Sequence, residues 1–246
     1  MFGKPNVFDI LKIFFRVLIG ILVAAVFVVL FWRFLTSRVP AELKTLSPND
    51  MLSEAYAKYG DDLKLVTQEQ NTITRAPNNY GYFTVCEAVF IPEAKQLQLL
   101  VRYNDSTLKA LQKDYNLDFT PDSSEDWYDI TLVTSRDLTP DNPDDNLTND
   151  PASVVLTRIP PTLVSARTHS GRHSYRRLVF DGVELDDLML AVYADFYYKG
   201  DIAYESSGFD IYRDKAYGTL CLYAYTEASD NVTRPLSAAD KKALAQ

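Results

Sequence analysis

Cysteine, histidine and glycine are scarce in this chain, and each scarcity narrows what the protein can do. The 246 residues include two cysteines, two histidines and nine glycines. Two cysteines cannot build a disulfide framework or a thiolate zinc site. Cys86 and Cys221 each lie in an apolar run, where a free thiol behaves as a small hydrophobe. Two buried free thiols are the expectation, with a single disulfide between them as the alternative that geometry decides. The phosphate loop, the dinucleotide fingerprint, Gly-x-Ser-x-Gly and His-Glu-x-x-His are all missing. A Ser-His-Asp triad is not ruled out by this, because its members need not be close in sequence. The sequence therefore names no catalytic residue and no cofactor.

Positive charge is the next shortage. The formal net charge is −8, and residues 1–40 hold five of the 25 basic residues but one of the 33 acidic ones. Beyond position 40 the balance is 20 basic against 32 acidic residues, or −12. A domain so acidic repels a nucleic-acid backbone, whose binding is largely electrostatic. Nucleic acid is thus not an expected partner.

Apolar and aromatic residues, in contrast, are plentiful at 47% and 13%. They are unevenly placed. Residues 17–32 (VLIGILVAAVFVVLFW) carry no charge, and apolar character extends over 13–35 with Arg16 and Arg33 near its margins. About 20 apolar residues cross the roughly 30 Å hydrocarbon layer as a helix, and flanking arginines snorkel to the interface. The pattern predicts a short tail over 1–12 and a transmembrane helix over 13–35. A cleaved signal peptide fits less well. Its apolar region should be shorter, and Arg33, Arg38 and Pro40 interrupt the one small-residue site at Val39-Pro-Ala41. Lys4, Lys12 and Arg16 on one flank nearly balance Arg33, Arg38 and Lys44 on the other, so the positive-inside count is close to even. Glu42 and the acidic domain tip the expectation toward a large extracytoplasmic C-terminal part, anchored in the cell membrane by one helix.

After the span, a juxtamembrane segment over 36–62 contains a helix signal. Ser47 reads as the N-cap, Pro48 as the first helical position and Gly60 as the stop. The period then changes to two. Leu97, Leu99, Val101 and Tyr103 alternate with Gln96, Gln98 and Arg102, and similar runs cover 63–70, 82–90, 127–132, 153–159, 175–180, 188–197 and 220–225. Such alternation predicts antiparallel rather than parallel sheets. The expected fold is mainly β: an antiparallel β-sandwich of immunoglobulin-like architecture over 63–236. A short helix interrupts it at 106–115, and another at 237–244, within a 237–246 tail, opens on Ser237 with Asp240 in a capping box.

Three features stand out as candidate sites. Arg167, Arg172, His173, Arg176 and Arg177 crowd one predicted hairpin, and arginine forks match carboxylate and phosphate. They form a possible anion- or partner-binding set, with an envelope glycopolymer, a lipid head group or an acidic protein surface as partner classes. The competing expectation is an exposed hairpin whose arginines pair with neighbouring acids. Tyr193, Tyr197, Tyr217, Tyr223 and Tyr225 fall opposite the leucines of their strands and predict one aromatic face. Asp141, Asp144, Asp145, Asn146 and Asp150 offer oxygen ligands for a hard cation, though they also read as ordinary turn residues. The spacing of His169 and His173 suits a metal only on a helix, and Gly171 argues for a turn, so metal binding stays unassigned. The overall expectation is a membrane-anchored binding or scaffolding module. An envelope hydrolase and a cytoplasm-facing complex subunit are the alternatives.

Overall fold

The computed structural model describes residues 7–36, 39–68, 78–80, 83–114, 128–137, 154–171, 173–184, 189–198, 218–224 and 231–245. The chain divides into two units, Met1–Arg38 and Val39–Gln246.

The first unit is one helix, α1 (Val7–Thr36). Its segment Leu11–Trp32 is 22 residues long, and none of it is buried. At about 1.5 Å per residue it measures roughly 33 Å, enough to cross a hydrocarbon layer. Nothing lies within 4 Å of a side chain built on Gly20. The span starts two residues before the expected one and encloses Lys12 and Arg16.

The second unit is mainly β. In chain order its strands are β1 (Lys64–Gln68), β2 (Asn78–Tyr80), β3 (Phe83–Ile91), β4 (Gln96–Asn104), β5 (Tyr128–Asp137) and β6 (Val154–Ile159). They continue with β7 (Leu163–Val164), β8 (Thr168–Ser170), β9 (His173–Asp181), β10 (Met189–Tyr198), β11 (Gly218–Ala224) and β12 (Asn231–Pro235). One sheet runs β12-β1-β3-β4-β9-β7, with β2 added to β3 and β8 to β9; the other runs β11-β10-β5-β6. Every pairing is antiparallel, as alternation predicted. Eight strands against four is not the four-against-three pattern of a constant-type immunoglobulin domain. Neither sheet closes into a barrel among the described residues.

One parity of each sheet builds a shared core. Phe83, Val85, Leu97, Leu99, Val101, Tyr103, Leu178 and Phe180 from the larger sheet meet Ile130, Leu132, Val192, Ala194, Phe196 and Leu222 from the smaller. Across the junction Phe83 stacks on Phe196 with ring centroids 5.6 Å apart. A bulge at Cys86 and Glu87 shifts the register of β3. That extra residue lets both Val85 and Ala88 reach the core, which strict alternation would forbid. Each buried aromatic or aliphatic side chain contributes about 1.5–3 kcal/mol.

The opposite face of the larger sheet is also covered, at one end by helices. Leu46, Leu52 and Ala55 pack with Leu63, Leu65, Val89, Ile91, Leu236 and Leu244. Leu52 and Ala55 belong to α2 (Asp50–Tyr59), and Leu244 closes the C-terminal helix α4 (Ala238–Leu244). Between β4 and β5 stands α3 (Asp105–Asp114), one residue earlier than expected. The cap of α2 is Asn49, not Ser47, because its side chain accepts from Leu52 N at 3.0 Å. The capping box of Ser237 and Asp240 forms as predicted. Gly60 closes α2 with φ 57°, a conformation that favours glycine. Residues 39–62 and the C-terminal tail thus belong to the same unit as the sheets.

Candidate functional site

Segment 39–49 crosses the outer face of the larger sheet without joining it as a strand. Side chains hold it there. Val39 and Leu43 pack on Leu100, Tyr175 and Cys86. Gln98 Oε1 accepts from Ser47 N, and Gln98 Nε2 donates to Ser47 O, each at 2.9 Å. Asn49 Nδ2 donates to Asp181 at 3.0 and 3.2 Å, and Gln96 Nε2 donates to Asn49 Oδ1 and Asp181 Oδ1. Leu46 N donates to Asp240 Oδ1 at 2.9 Å, tying the segment to α4.

That cover explains the fate of the arginine cluster. β9 is buried along seven consecutive residues, because the core lies under one face and segment 39–49 over part of the other. Adjacent residues of a strand point to opposite faces, so Arg176 and Arg177 separate. Arg176 shares the core parity of Leu178, and its Nη1 donates to Ser165 O at 2.9 Å. Arg177, with 0% of its surface exposed, takes the outer parity. Its Nη2 donates to Leu43 O at 2.7 Å and to Glu87 Oε2 at 2.8 Å, while Arg234 Nη2 reaches Glu87 Oε1 at 3.4 Å. The expectation of an exposed arginine hairpin is corrected: two of its members are interior. Arg167 is half-buried, and Arg172 lies outside the described residues.

The histidines do not meet. β8 and β9 form a hairpin around Gly171 (φ 64°), with His169 opposite Ser174 and Ser170 opposite His173. His169 therefore shares the parity of Ser174 and His173 the other, which removes the chelating pair. No group of three His, Cys, Asp or Glu that could hold a metal occurs among the described residues. Ser174, His169 and Asp105 do come together. Ser174 Oγ donates to Asp105 Oδ1 at 2.7 Å and lies 3.1 Å from His169 Nδ1, which is 3.5 Å from Asp105 Oδ2. Here the buried serine donates its hydrogen bond to the carboxylate, whereas a triad nucleophile donates to the imidazole, and both partners approach the same ring nitrogen.

Around Arg177 and His173 the outer face carries two further donors that sequence reading missed, Arg102 and Tyr175. Arg102 stands opposite Tyr175 in the β4–β9 register, and His173, Tyr175 and Arg177 share one parity of β9. Burial pushes the Tyr175 hydroxyl above its ordinary pKa, against the pull of Arg102. Burial also lowers His173, helped by Arg102 and opposed by Asp105. The Cys86 thiol, in the β3 bulge, is raised chiefly by burial, with Arg102 pulling it down and Glu87 adding to the rise. Alternation had marked Arg102 only as the polar side of β4; its neighbours come from β3 and β9, far away in sequence.

The tyrosine row divides as well. Tyr197 is buried beside Asp195, donating to its carboxylate at 3.4 Å, and Arg158 lies 5.9 Å from its ring. Tyr193 is half-buried, opposite Cys221. The backbone register pairs Tyr223 with Val192, beside a shift between Val192 and Tyr193. Tyr217 and Tyr225 lie outside the described residues, as do Asp141, Asp144, Asp145, Asn146 and Asp150. Neither Cys86 nor Cys221 is in a disulfide. They sit on the outward parities of two different sheets, whose roughly 10 Å separation exceeds disulfide reach.

Comparison with protein-family models, with curated proteins and with solved structures finds no match to this chain.

Proposed function

We propose that the chain is a single-pass membrane protein that presents its β domain outside the cytoplasm as a binding module. The observation that carries this reading is the bare apolar surface of Leu11–Trp32 next to a second unit that has its own core. A helix of that length and composition, none of whose span is buried among the described residues, is stabilised by lipid. The two sheets, sharing one core, read as a sandwich whose likeness to immunoglobulin domains is architectural only.

Binding rather than catalysis is favoured by the site chemistry. Ser174 is engaged as a donor to Asp105, while Arg102, His173, Tyr175 and Arg177 supply recognition groups. The partner classes that fit are a protein or an envelope glycopolymer, while the domain's own charge disfavours nucleic acid.

Protease shaving of intact cells tests the topology. Loss of the domain without cell lysis is the expected result; a domain that survives shaving and is cut only after lysis overturns the reading in favour of a cytoplasm-facing subunit.

A further inference from the structure

The structure assigns an oxyanion-binding site to Arg102, His173, Tyr175 and Arg177 on the outer face of the larger sheet. The inference rests on the reading of the domain as a binding module and names the ligand chemistry for it.

The first argument is satisfaction. Buried donors are nearly always hydrogen-bonded, and each exception asks for an explanation. Arg177 is fully buried, yet its Nε and Nη1 have no hydrogen-bond partner among the described residues. The buried Tyr175 hydroxyl has none, although the Arg102 guanidinium lies against it. His173 Nδ1 is likewise buried and without a partner. These three side chains succeed one another at alternate positions of β9, so they line one face at about 6.6 Å intervals.

The second argument is charge. Arg102 is half-buried; its Nη2 makes a long 3.4 Å contact to Thr84 Oγ1, and its guanidinium lies against the Tyr175 hydroxyl. No carboxylate among the described residues pairs with it. The nearby Glu87 is already shared between Arg177 and Arg234. Arg177 and Arg234 thus share one carboxylate, Asp105 is the one other carboxylate acting on His173 among the described residues, and three guanidinium groups outnumber the two on a domain that elsewhere carries excess negative charge.

Donors without acceptors, and cations in excess of anions, are complementary to a carboxylate or phosphate oxyanion. In the Nδ1–H tautomer His173 donates while neutral, consistent with its lowered pKa. Leu43 covers Arg177, so the ligand's open approach is along the half-buried Arg102 and His173. Arg102 supplies the more exposed guanidinium, and the Tyr175 hydroxyl and Arg177 Nε and Nη1 supply donors at the buried end.

The test uses the full-length protein in neutral detergent, titrated calorimetrically with sodium phosphate or sodium acetate at constant ionic strength. Saturable binding of at least one anion, absent with sodium chloride, is expected. Arg102→Gln should weaken it by about tenfold to a hundredfold, the loss typical of a charge-assisted hydrogen bond. Arg136→Gln, on β5, should bind as the parent does. Because Arg102 is half-exposed, its variant folds, which a matching thermal transition checks. No saturable heat with either anion, or undiminished binding by Arg102→Gln, overturns the site; the donors are then satisfied by water alone. Neither result bears on the shaving experiment, so the two readings fail separately.

Discussion

Gln98 addresses Ser47 as a strand would, with its side-chain amide accepting from Ser47 N and donating to Ser47 O at 2.9 Å each. One side chain thus replaces a rung of a β ladder. The same amide also donates to Gln96 Oε1 at 2.7 Å, within a buried pair of glutamines. Gln98→Leu should leave the Ser47 amide and carbonyl without partners and cost about 2–3 kcal/mol. Chemical unfolding of the full-length protein in detergent measures it; a variant as stable as the parent would show that the segment is held by other contacts.

The helix cap gives a sharper contrast. Asn49→Ala removes the acceptor for Leu52 N and the bonds to Gln96 and Asp181, and should destabilise by about 1–2 kcal/mol. Ser47→Ala should change stability by less than about 0.5 kcal/mol, since the backbone of Ser47 is what the sheet binds. Equal losses in the two variants would restore Ser47 as the cap.

Glu87→Gln removes the carboxylate shared by Arg177 and Arg234. Arg177 would then be a buried cation held chiefly by Leu43 O, and breaking one partner of such a pair costs several kcal/mol. Glu87 keeps 30% side-chain exposure, so solvent screening brings the expected loss to roughly 2–3 kcal/mol. Denaturant midpoints report it.

His173 sets a pH dependence whose sign is fixed by burial. Its folded pKa lies below the unfolded value near 6.5, so the unfolded chain binds the proton more tightly. Its contribution to stability is therefore full above about pH 6.5 and falls as pH drops from there toward the folded pKa. Unfolding curves between pH 5 and 8 should show a steeper acid loss for the parent than for His173→Gln. Parallel profiles would remove His173 from the account.

The thiols offer a direct chemical check. Both should react with a maleimide after unfolding without reductant, since neither is bonded. In the folded protein Cys86 should label slowly near neutral pH, because burial raises its pKa and thins the thiolate. Rapid native labelling of Cys86 would contradict its place beneath Val39 and Leu43.

Much of the fold was legible because periodicity reports burial directly. The run from Leu97 to Tyr103 gave β4 its faces, and Ser237 with Asp240 gave α4 its start. What could not be read was anything that depends on a second covering layer. Alternation assigns Arg177 to a polar face, and only Leu43 and Glu87, 134 and 90 positions away, make that face interior. The short strands β2, β7 and β8 carry two or three residues each, too few for a period to show. Bulges at Cys86 and beside Tyr193 defeat parity counting in the same way.

The side-chain stitching of segment 39–49 has a mechanical meaning. Tension entering the domain at Val39 does not load a ladder of backbone bonds in shear. It meets Leu43 on Arg177, then Leu46 on Asp240, Ser47 on Gln98 and Asn49 on Asp181, one after another. Contacts loaded one after another should give way singly, beginning with Val39 and Leu43 over Tyr175. The segment is thus built as a tear strip, to be lifted off the sheet before the core between the two sheets is loaded.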